Sequence, residues 1–374
     1  MSLSRRKMLL AMAAAGAASG CGVTGAALAN RAGISSGNFA VRKQPKQDRP
    51  RTGSGTEKAT SELFTKETEE AVARGLAHLA RKQVQTGGNR GAFGSTGYSA
   101  GVATTGLAGL AFMCGGFAPN EGKFGKHVDR CAEFIMRNTR QSGYIARADN
   151  LVHENMYGHG FAMLFLAEAY GMSLKEEVGE KLEKAVDLTC KCQNGAGGWR
   201  YKPEPQSADL SITVCQIMGL RAARDAGIHV PDEVREKCIK YVKDSHAKDG
   251  SFRYTIGGHS TFAMTAAGVT SLYSAGIYDG ELVEKALEYL NRYKPPSSGG
   301  ESHFFYGHYY AVQAMWHAGG DYWNEWYPAI RDLLLKRQQS NGSWNCPMAG
   351  PEFGTAMASI ILQIPLNYLP VFAP

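Results

Sequence analysis

The sequence predicts an all-α protein, an α6/α6 toroid of about six helical hairpins. A short phrase of glycine, any residue and a large aromatic recurs at Gly91–Phe93, Gly197–Trp199, Gly250–Phe252 and Gly342–Trp344. Each copy follows an amphipathic stretch of helical period and precedes a nearly uncharged stretch of small residues. Repeats of roughly 45 to 50 residues, each with two helices, bury their apolar faces only against one another, so they favour a repeat assembly.

The predicted hairpins follow one another without a linker-like break after about residue 65. They fall at about 66–117, 126–172, 174–228, 231–277, 279–320 and 321–369. The first helix of each carries a charged face and is expected on the outside, whereas the second is uncharged and is expected in a buried inner ring. The chain therefore divides into a leader (1–29), a polar, basic linker that resembles a disordered tether (30–65) and one toroid domain (66–374).

The repeated phrase lies between the outer and the inner helix of a hairpin. We expect its aromatic residue, above all Trp199 and Trp344, to be buried between successive repeats. A glutamine lies a few residues upstream in three copies, at Gln83, Gln193 and Gln338 or Gln339. We expect it to bond backbone groups left open at a helix end.

The positive charge belongs to the N-terminal region. Residues 1–58 hold ten Lys or Arg and two Asp or Glu. Their net charge of +8 (10 − 2) exceeds the net charge of +7 of the whole chain. The remainder is close to neutral, which gives no reason to expect a nucleic-acid partner. Eight cysteines, of which Cys21 lies in the leader, leave an odd number and argue against a complete disulfide framework.

The N-terminus resembles an export signal. Arg5 and Arg6 precede a mildly apolar, alanine-rich run, as in a twin-arginine leader. The small residues of Ala27–Ala29 fit a cleavage site before Asn30, whereas Ala18–Cys21 is an alternative lipoprotein box with a lipidated Cys21. Both alternatives predict an exported protein of the periplasm or cell envelope, and the second adds membrane association through the N-terminus.

The glutamine-containing copies resemble a known family. Gln193–Trp199 and Gln339–Trp344 are similar to the glutamine–tryptophan repeats of squalene–hopene and oxidosqualene cyclases, and to the related repeats of protein prenyltransferase β subunits. The resemblance covers about 66–369 and implies an α6/α6 toroid that acts on or binds an apolar polyisoprenoid. The chain also resembles exported bacterial proteins with these repeats and no assigned chemistry.

The catalytic motifs of that family are incomplete here. Asp209–Thr213 resembles the Asp-x-Asp-Asp-Thr run of class II cyclases, but Ser211 stands at the position of the proton-donating Asp, and a serine hydroxyl is too weak an acid. The stretch Tyr306–His308, which resembles a zinc-binding region of the prenyltransferases, contains no cysteine. Phe353–Thr355 lacks the expected histidine.

A different set of polar residues opens the inner helices, which begin at one end of a toroid. The resemblance and this placement nominate Asp209, His259 and His308 as catalytic and Tyr157, His159, Tyr306 and Tyr309 as substrate-binding residues. Glu154 and His303 lie just before two of the helices. Helix N-termini at such a mouth favour an anion. We assign no cofactor and no metal, although three histidines with Asp or Glu are a zinc alternative.

Three functions fit these observations. The first is a terpene-cyclase-like or prenyltransferase-like enzyme that acts on a polyisoprenoid in a central cavity. The second is a non-catalytic carrier of a lipid or another apolar ligand, and the third is a carbohydrate-active enzyme, since α/α toroids support both chemistries. A long dry tunnel would favour the first two, and a pair of carboxylates would favour the third.

The leader generates a prediction about export. Replacement of both Arg5 and Arg6 by Lys is expected to trap the precursor in the cytoplasm, because a twin-arginine signal needs both guanidinium groups. Fractionation of the expressing cells measures this, and N-terminal sequencing of the exported form distinguishes Asn30 from a lipidated Cys21. Unchanged export of the double variant would contradict the prediction.

Overall fold

The computed structural model describes residues 60–94, 101–147, 155–173, 175–295 and 303–373. Its long helices are α1 (Lys66–Lys82), α2 (Gly101–Cys114), α3 (Gly125–Arg137), α4 (Met156–Ser173), α5 (Glu176–Lys191), α6 (Leu210–Asp225), α7 (Asp232–Asp244), α8 (Phe262–Ser274), α9 (Glu281–Asn291), α10 (Phe304–Ala318), α11 (Gly320–Arg337) and α12 (Gly350–Gln363). A short helix, Thr60–Leu63, precedes them, and 3₁₀ turns at Ile364–Leu366 and Pro370–Phe372 follow. Outside the helices, strand-like pairing in the described residues amounts to isolated bridges.

The even-numbered helices form an inner ring and the odd-numbered helices an outer one. Each inner helix packs against the next inner helix, and α12 returns to pack against α2. Each inner helix also packs against the outer helix of the following repeat, and α12 packs in this way against α1. The predicted α6/α6 toroid of six hairpins is therefore confirmed. The predicted leader at 1–29 and most of the linker at 30–65 lie outside the described residues.

Burial differs between the two rings as the sequence predicts. Every residue of α2 is buried, from Gly101 to Cys114. In α9, by contrast, Val283 and Leu287 are buried while Glu281 and Glu288 remain exposed. The contact between the two rings is therefore apolar, and the exposed charged residues of α9 lie on its outer face.

The glycine of the repeated phrase makes a close contact between repeats. At Gly197, φ is +100°, and a Cβ atom would lie 2.0 Å from the carbonyl oxygen of Lys237 in α7, the next outer helix. Corresponding contacts of 2.1, 2.5 and 2.7 Å occur at Gly91, Gly250 and Gly342. Only glycine permits both the left-handed backbone and this approach. We call this contact between the glycine of one repeat and the outer helix of the next the repeat joint. At Gly342 the contact is with Arg74 of α1, so a repeat joint also closes the ring.

The upstream glutamine reinforces this joint. Gln193 donates from Nε2 to the carbonyl oxygens of Gly197 (2.9 Å) and Val234 (2.8 Å), which link its own loop to α7. Gln338, rather than Gln339, does the same at the closure of the ring, with bonds to Gly342 and Ala71. We expected the glutamine to bond backbone groups that a helix end leaves open. That expectation was wrong in detail, because the carbonyl oxygens that accept its bonds belong to Val234, in the first turn of α7, and to Ala71, inside α1.

The aromatic residue completes the joint. Trp199 and Trp344 are 1% and 0% exposed, as predicted, and their indole N–H groups donate to Thr189 O (2.7 Å) and Leu334 O (2.8 Å) of their own outer helices. The backbone N–H of Trp199 donates to the hydroxyl of Thr213 in the first turn of α6 (3.1 Å). Each copy is therefore bonded to its outer helix, its inner helix or both.

Four inner helices carry a threonine that receives this backbone N–H. The donor–acceptor pairs are Phe93–Thr105, Trp199–Thr213, Phe252–Thr265 and Trp344–Thr355. In the second repeat, Gly143 makes the same close contact, 2.0 Å from Lys184 O, and the buried Ile145 replaces the aromatic residue. Its N–H donates to a ring nitrogen of His159 (3.1 Å). His159 therefore occupies the position of the repeat threonine.

All seven cysteines among the described residues are free. Five of them are buried: Cys114, Cys131, Cys192, Cys215 and Cys238. Burial raises the pKa of the Cys215 thiol to about 12, so this group is protonated at neutral pH. None of the described helices combines the length and the apolar character that a bilayer crossing requires.

The joint between repeats predicts a contrast between two nearby glycines. Gly197→Ala is expected to destabilise the protein by about 2 kcal/mol or more, because the left-handed backbone and the displaced Lys237 carbonyl both cost free energy. Gly195→Ala is the matched control, since no atom lies within 4 Å of a Cβ there, and it is expected to change stability by less than about 0.5 kcal/mol. Urea unfolding measures both. Equal stabilities would contradict the role assigned to Gly197.

Candidate functional site

The candidate site lies at the end of the ring where the inner helices begin, called here the mouth end. Successive loops are bonded together there, since the carbonyls of Tyr201 and Tyr254 accept the N–H groups of Met156 (3.0 Å) and Leu210 (2.8 Å). These bonds place the loop of each repeat over the start of the preceding inner helix. The first turns of α4 and α6 and the loops above them therefore form one bonded surface.

Asp209 is the buried acid at this end. It is 0% exposed and caps α6, where its Oδ1 accepts the N–H of Ile212 (2.9 Å) and the hydroxyl of Ser211 (2.6 Å). Burial raises the pKa of the Asp209 carboxyl; the bonds from Ser211 and Ile212, the Arg200 charge and the Tyr254 hydroxyl oppose that rise. Oδ2 makes no hydrogen bond of good geometry with the described residues, and Arg200 Nε lies 3.9 Å away.

Ser211 connects Asp209 to tyrosines on other helices. The Tyr157 hydroxyl of α4 donates to Ser211 Oγ, and the Tyr306 hydroxyl of α10 donates to the Ser211 carbonyl oxygen (2.7 Å). Helix α10 is not a neighbour of α4 or α6 in the ring, so these contacts cross its centre. The residue that replaces the acid of the cyclase motif is therefore the junction of the network.

Below this network, aromatic rings continue along the centre of the ring. Ring centroids lie 4.8 Å apart for Tyr306 and Tyr310, 4.9 Å for Tyr310 and Tyr309, and 6.0 Å for Tyr309 and Phe161 of α4. Tyr310 and Tyr309 are fully buried. The side chains expected to line a central cavity therefore contact one another across the ring, and we call Tyr306, Tyr309, Tyr310 and Phe161 the aromatic column.

The segment after α12 covers the far end of the aromatic column. Phe372 is 1% exposed, with its ring 6.1 Å from that of Tyr309. The Val371 N–H donates to the buried carboxylate of Glu168 (3.1 Å), and Arg221 donates to the Ala373 carbonyl oxygen (3.4 Å). The apolar run after the last helix is the signal in the sequence for this packing, and sequence reasoning missed it.

A polar aromatic rim surrounds Asp209 at the mouth end; we define the rim as Arg200, Tyr201, Tyr254 and His259. The Tyr201 and Tyr254 hydroxyls are hydrogen-bonded (2.6 Å), and the Arg200 guanidinium lies over both rings, at 5.5 and 6.0 Å. The phrases Trp199-Arg200-Tyr201 and Phe252-Arg253-Tyr254 extend the repeat motif and were an unused signal for this rim.

The seven predicted site residues occupy four different environments: a shared network, the aromatic column, the rim and the walls of the toroid. Asp209, Tyr157 and Tyr306 share one network, and Tyr309 lies deeper in the aromatic column. His259 is exposed on the rim, where its ring stacks on Tyr254 at 6.1 Å. Glu154 lies outside the described residues, and His303 is an exposed residue before α10.

His159 and His308 lie inside the walls of the toroid. The ring nitrogens of His159 contact Ile145 N–H and the Thr189 hydroxyl (2.8 Å), and His308 packs against Phe262, Phe304 and Trp326. Burial lowers the pKa of His159 to about 4 and that of His308 to about 3, so both imidazoles are neutral at neutral pH. These contacts suit a structural role, and the catalytic role predicted for His308 and the substrate-binding role predicted for His159 remain predictions.

The zinc alternative has no ligand set among the described residues. No three His, Cys, Asp or Glu side chains in that part of the chain are grouped to hold a metal ion. Two of the three histidines considered are packed in the walls, whereas His259 is on the rim. The described histidines therefore do not converge on a single point.

Comparisons with solved structures identify the architecture. The chain is similar to a variant of the type II terpene cyclase MstE from Scytonema in complex with geranylgeranyl dihydroxybenzoate. The identity is 14%, the TM-score is 0.57, and the match covers 81% of this chain and 98% of that one. A GH76 α-mannanase from Bacteroides thetaiotaomicron gives 11% identity, a TM-score of 0.56 and coverage of 80% and 96%. A protein from Actinoplanes is 13% identical, with a TM-score of 0.57 and coverage of 80% of this chain and 99% of that one.

These similarities establish the α/α toroid and not the chemistry, because the identities are low. No protein-family model matches the chain, and no curated protein sequence does. The toroid is shared by proteins that act on a polyisoprenoid and on a mannan, according to their descriptions. The function must therefore be argued from the residues of the site.

The raised pKa of Asp209 predicts a pH dependence of stability. The folded protein binds a proton more tightly than the unfolded chain, so the Asp209 contribution falls as pH rises from 3.8 through the raised folded pKa. Asp209→Asn retains a side-chain oxygen for the α6 cap and removes this titration. The stability of Asp209→Asn relative to wild type is therefore expected to increase with pH, measured by urea unfolding.

Asp249→Asn is the matched control for this measurement. Hydrogen bonds from the Ser251 hydroxyl and N–H lower the pKa of the Asp249 carboxyl, so its contribution is present above the unfolded pKa and lost as pH falls. The control is expected to show the opposite slope. Parallel slopes for the two variants would contradict the raised pKa assigned to Asp209.

Proposed function

We propose that this protein is terpene-cyclase-like and binds an apolar polyisoprenoid at the mouth end, with Asp209 as the acid. One observation carries the proposal. A buried carboxyl with a raised pKa and one unbonded oxygen stands above a column of aromatic rings at the centre of a toroid.

The geometry suits protonation of an alkene. A raised pKa favours the protonated form of Asp209, and that proton can add to a carbon–carbon double bond of the ligand, which leaves a carboxylate and a carbocation. The bonds from Ser211 and Ile212 and the charge of Arg200 stabilise that carboxylate. The faces of Tyr157 and Tyr306, whose centroids are 6.0 Å apart, stabilise the cation as aromatic faces do for other cations.

The aromatic surroundings favour an apolar ligand. The network of Asp209 contacts Tyr157, Tyr306 and the aromatic column, and a structure of MstE, of the same fold, contains a geranylgeranyl compound. The column fills the centre of the ring in the described residues, so the polyisoprenoid is placed against its upper end. Movement of Tyr306 or Tyr310 would admit the chain further.

Of the residues in Asp209–Thr213 that resemble the cyclase motif, Asp209 is the candidate for catalysis. Thr213 accepts the Trp199 N–H and donates to the Asp209 carbonyl oxygen (2.7 Å), so its agreement with the cyclase motif is accounted for by the repeat joint. Ser211 cannot supply the proton itself. Asp209 is the acid that the resemblance leaves, and weak catalysis is expected because the second acid of the motif is missing.

The carbohydrate alternative receives less support. It requires a second carboxylate beside Asp209, whereas the partners of Asp209 among the described residues are hydroxyls, an amide N–H and a guanidinium. The carrier alternative uses the same site without catalysis. Export, which we also propose from the leader, disfavours cytosolic isoprenyl diphosphates as substrates.

Cyclisation assays test the proposal. Wild-type protein incubated with squalene or a geranylgeranyl compound is expected to give little cyclic product, detected by mass spectrometry of the extract. Asp209→Asn is expected to lower that product by about 10²-fold or more, as loss of a general acid does, and to retain ligand binding. Asp249→Asn, whose hydrogen bonds are to Ser251 and not to the network, should behave as wild type.

The outcomes separate the alternatives. Undiminished product with Asp209→Asn would reject Asp209 as the acid. Binding of the geranylgeranyl compound without any product would establish the carrier function instead. Absence of binding by wild-type protein would contradict the polyisoprenoid ligand itself.

A further inference from the structure

Arg200 is held in a fixed place at the mouth end. It follows Trp199, which is buried and bonded through both its indole and its backbone N–H. The Trp199 carbonyl oxygen also accepts the N–H of Asp209 (2.9 Å). The backbone of Arg200 is thereby tied to both the outer and the inner helix of its repeat, so its guanidinium is directed from a rigid base.

The guanidinium of Arg200 has aromatic neighbours but no hydrogen bond in the described residues. It lies over Tyr201 and Tyr254, and its side chain is 37% exposed. The separation of 3.9 Å from Asp209 Oδ2 exceeds the 2.7–2.9 Å or so of a charge-assisted hydrogen bond. The donors of Arg200 are therefore available to another group.

Asp209 is a poor permanent partner for this charge. Its Oδ1 is already occupied by Ser211 and Ile212, and burial favours its neutral form. Its buried Oδ2, without a hydrogen bond in the described part of the chain, faces Arg200. Asp209 Oδ2 and the Arg200 guanidinium thus form a long ion pair without a hydrogen bond at the start of α6, where a helix N-terminus adds further positive potential.

We propose that Arg200 binds an oxyanion, a carboxylate or a phosphate, that forms the head group of the polyisoprenoid ligand. This inference rests on the proposed function and specifies its ligand as an anionic amphiphile. A guanidinium matches both oxyanions with two parallel N–H bonds. The Tyr201 and Tyr254 rings flank the head group, and the apolar chain extends toward Tyr157 and Tyr306.

The head group would also act on the acid. The positive charge of Arg200 is one of the influences that lower the pKa of Asp209. An anion bound at Arg200 offsets that charge and favours the protonated acid next to it. Binding of the ligand therefore shifts Asp209 further toward the form that donates a proton.

A second arginine among the described residues, Arg140, shares with Arg200 the lack of a side-chain hydrogen bond. Arg140 likewise lies over a tyrosine, Tyr144, at 5.9 Å in a mouth-end loop, without a side-chain hydrogen bond in the described residues. What distinguishes Arg200 is its position beside the unbonded oxygen of Asp209. Arg140 is therefore a matched control of the same residue type and the same aromatic contact.

Three probes with one chain and different heads test the inference: geranylgeraniol, geranylgeranoic acid and geranylgeranyl monophosphate. Binding is measured by calorimetry with the full-length chain and its variants. Wild-type protein and Arg140→Met are expected to bind at least one anionic probe about tenfold or more tightly than the alcohol. In Arg200→Met that preference is expected to disappear while the alcohol binds as before, and the tighter anion identifies the head group.

The outcomes distinguish this inference from the proposed function. Binding of all three probes with equal affinity by wild-type protein, or a preference that survives in Arg200→Met, would overturn the anion site and leave the polyisoprenoid ligand standing. Failure of every probe to bind would overturn both. Thermal melting of Arg200→Met at the wild-type midpoint shows that the change is not a folding defect, and Arg200→Lys, which retains the charge, is expected to keep part of the preference.

Discussion

The contact of one glycine with the next outer helix is the constraint on which the rest of the structure depends. At Gly197 the backbone approaches the Lys237 carbonyl so closely that a methyl group has no room, and Gln193 bonds both sides of the contact. The same arrangement at Gly342 joins the last repeat to Arg74 of the first helix. Because one geometry serves internal joints and the closure, the repeats form a ring and not an open solenoid.

Closure of the ring creates the candidate site. Helices α4, α6 and α10 are distant in the chain and not all adjacent in the ring, yet Tyr157, Ser211 and Tyr306 bond across the centre. The repeat joint also fixes Asp209, since the Trp199–Asp209 backbone pairing sets the start of α6. The repeated phrase that ends at Trp199 and the carboxyl group of Asp209 thus belong to one loop, and the rigid packing of the phrase positions the carboxyl group.

The first turns of α4 and α6 each serve two purposes. One position supports the joint, filled by Thr213 in the third repeat and by His159 in the second. The positions two before these belong to the centre of the ring, as Tyr157 and Ser211 show. Residues that look equivalent along the chain therefore divide between wall and site, because a helix turn points neighbouring side chains in different directions.

The sequence by itself determined the toroid. The helical period, the contrast between charged and uncharged helices and the repeated glycine–aromatic phrase are local properties, and they predicted six hairpins and buried tryptophans that the structure confirms. Asp209 and its neighbours Tyr157 and Tyr306 were also found in this way, from their place at inner-helix starts. The tertiary structure alone decided the rest. Only the ring brings Ser211 to Tyr306 and Arg200 beside Asp209, fills the centre with Tyr309 and Tyr310, and packs His159 and His308 in the walls, because those relations depend on which helices meet across the closed ring.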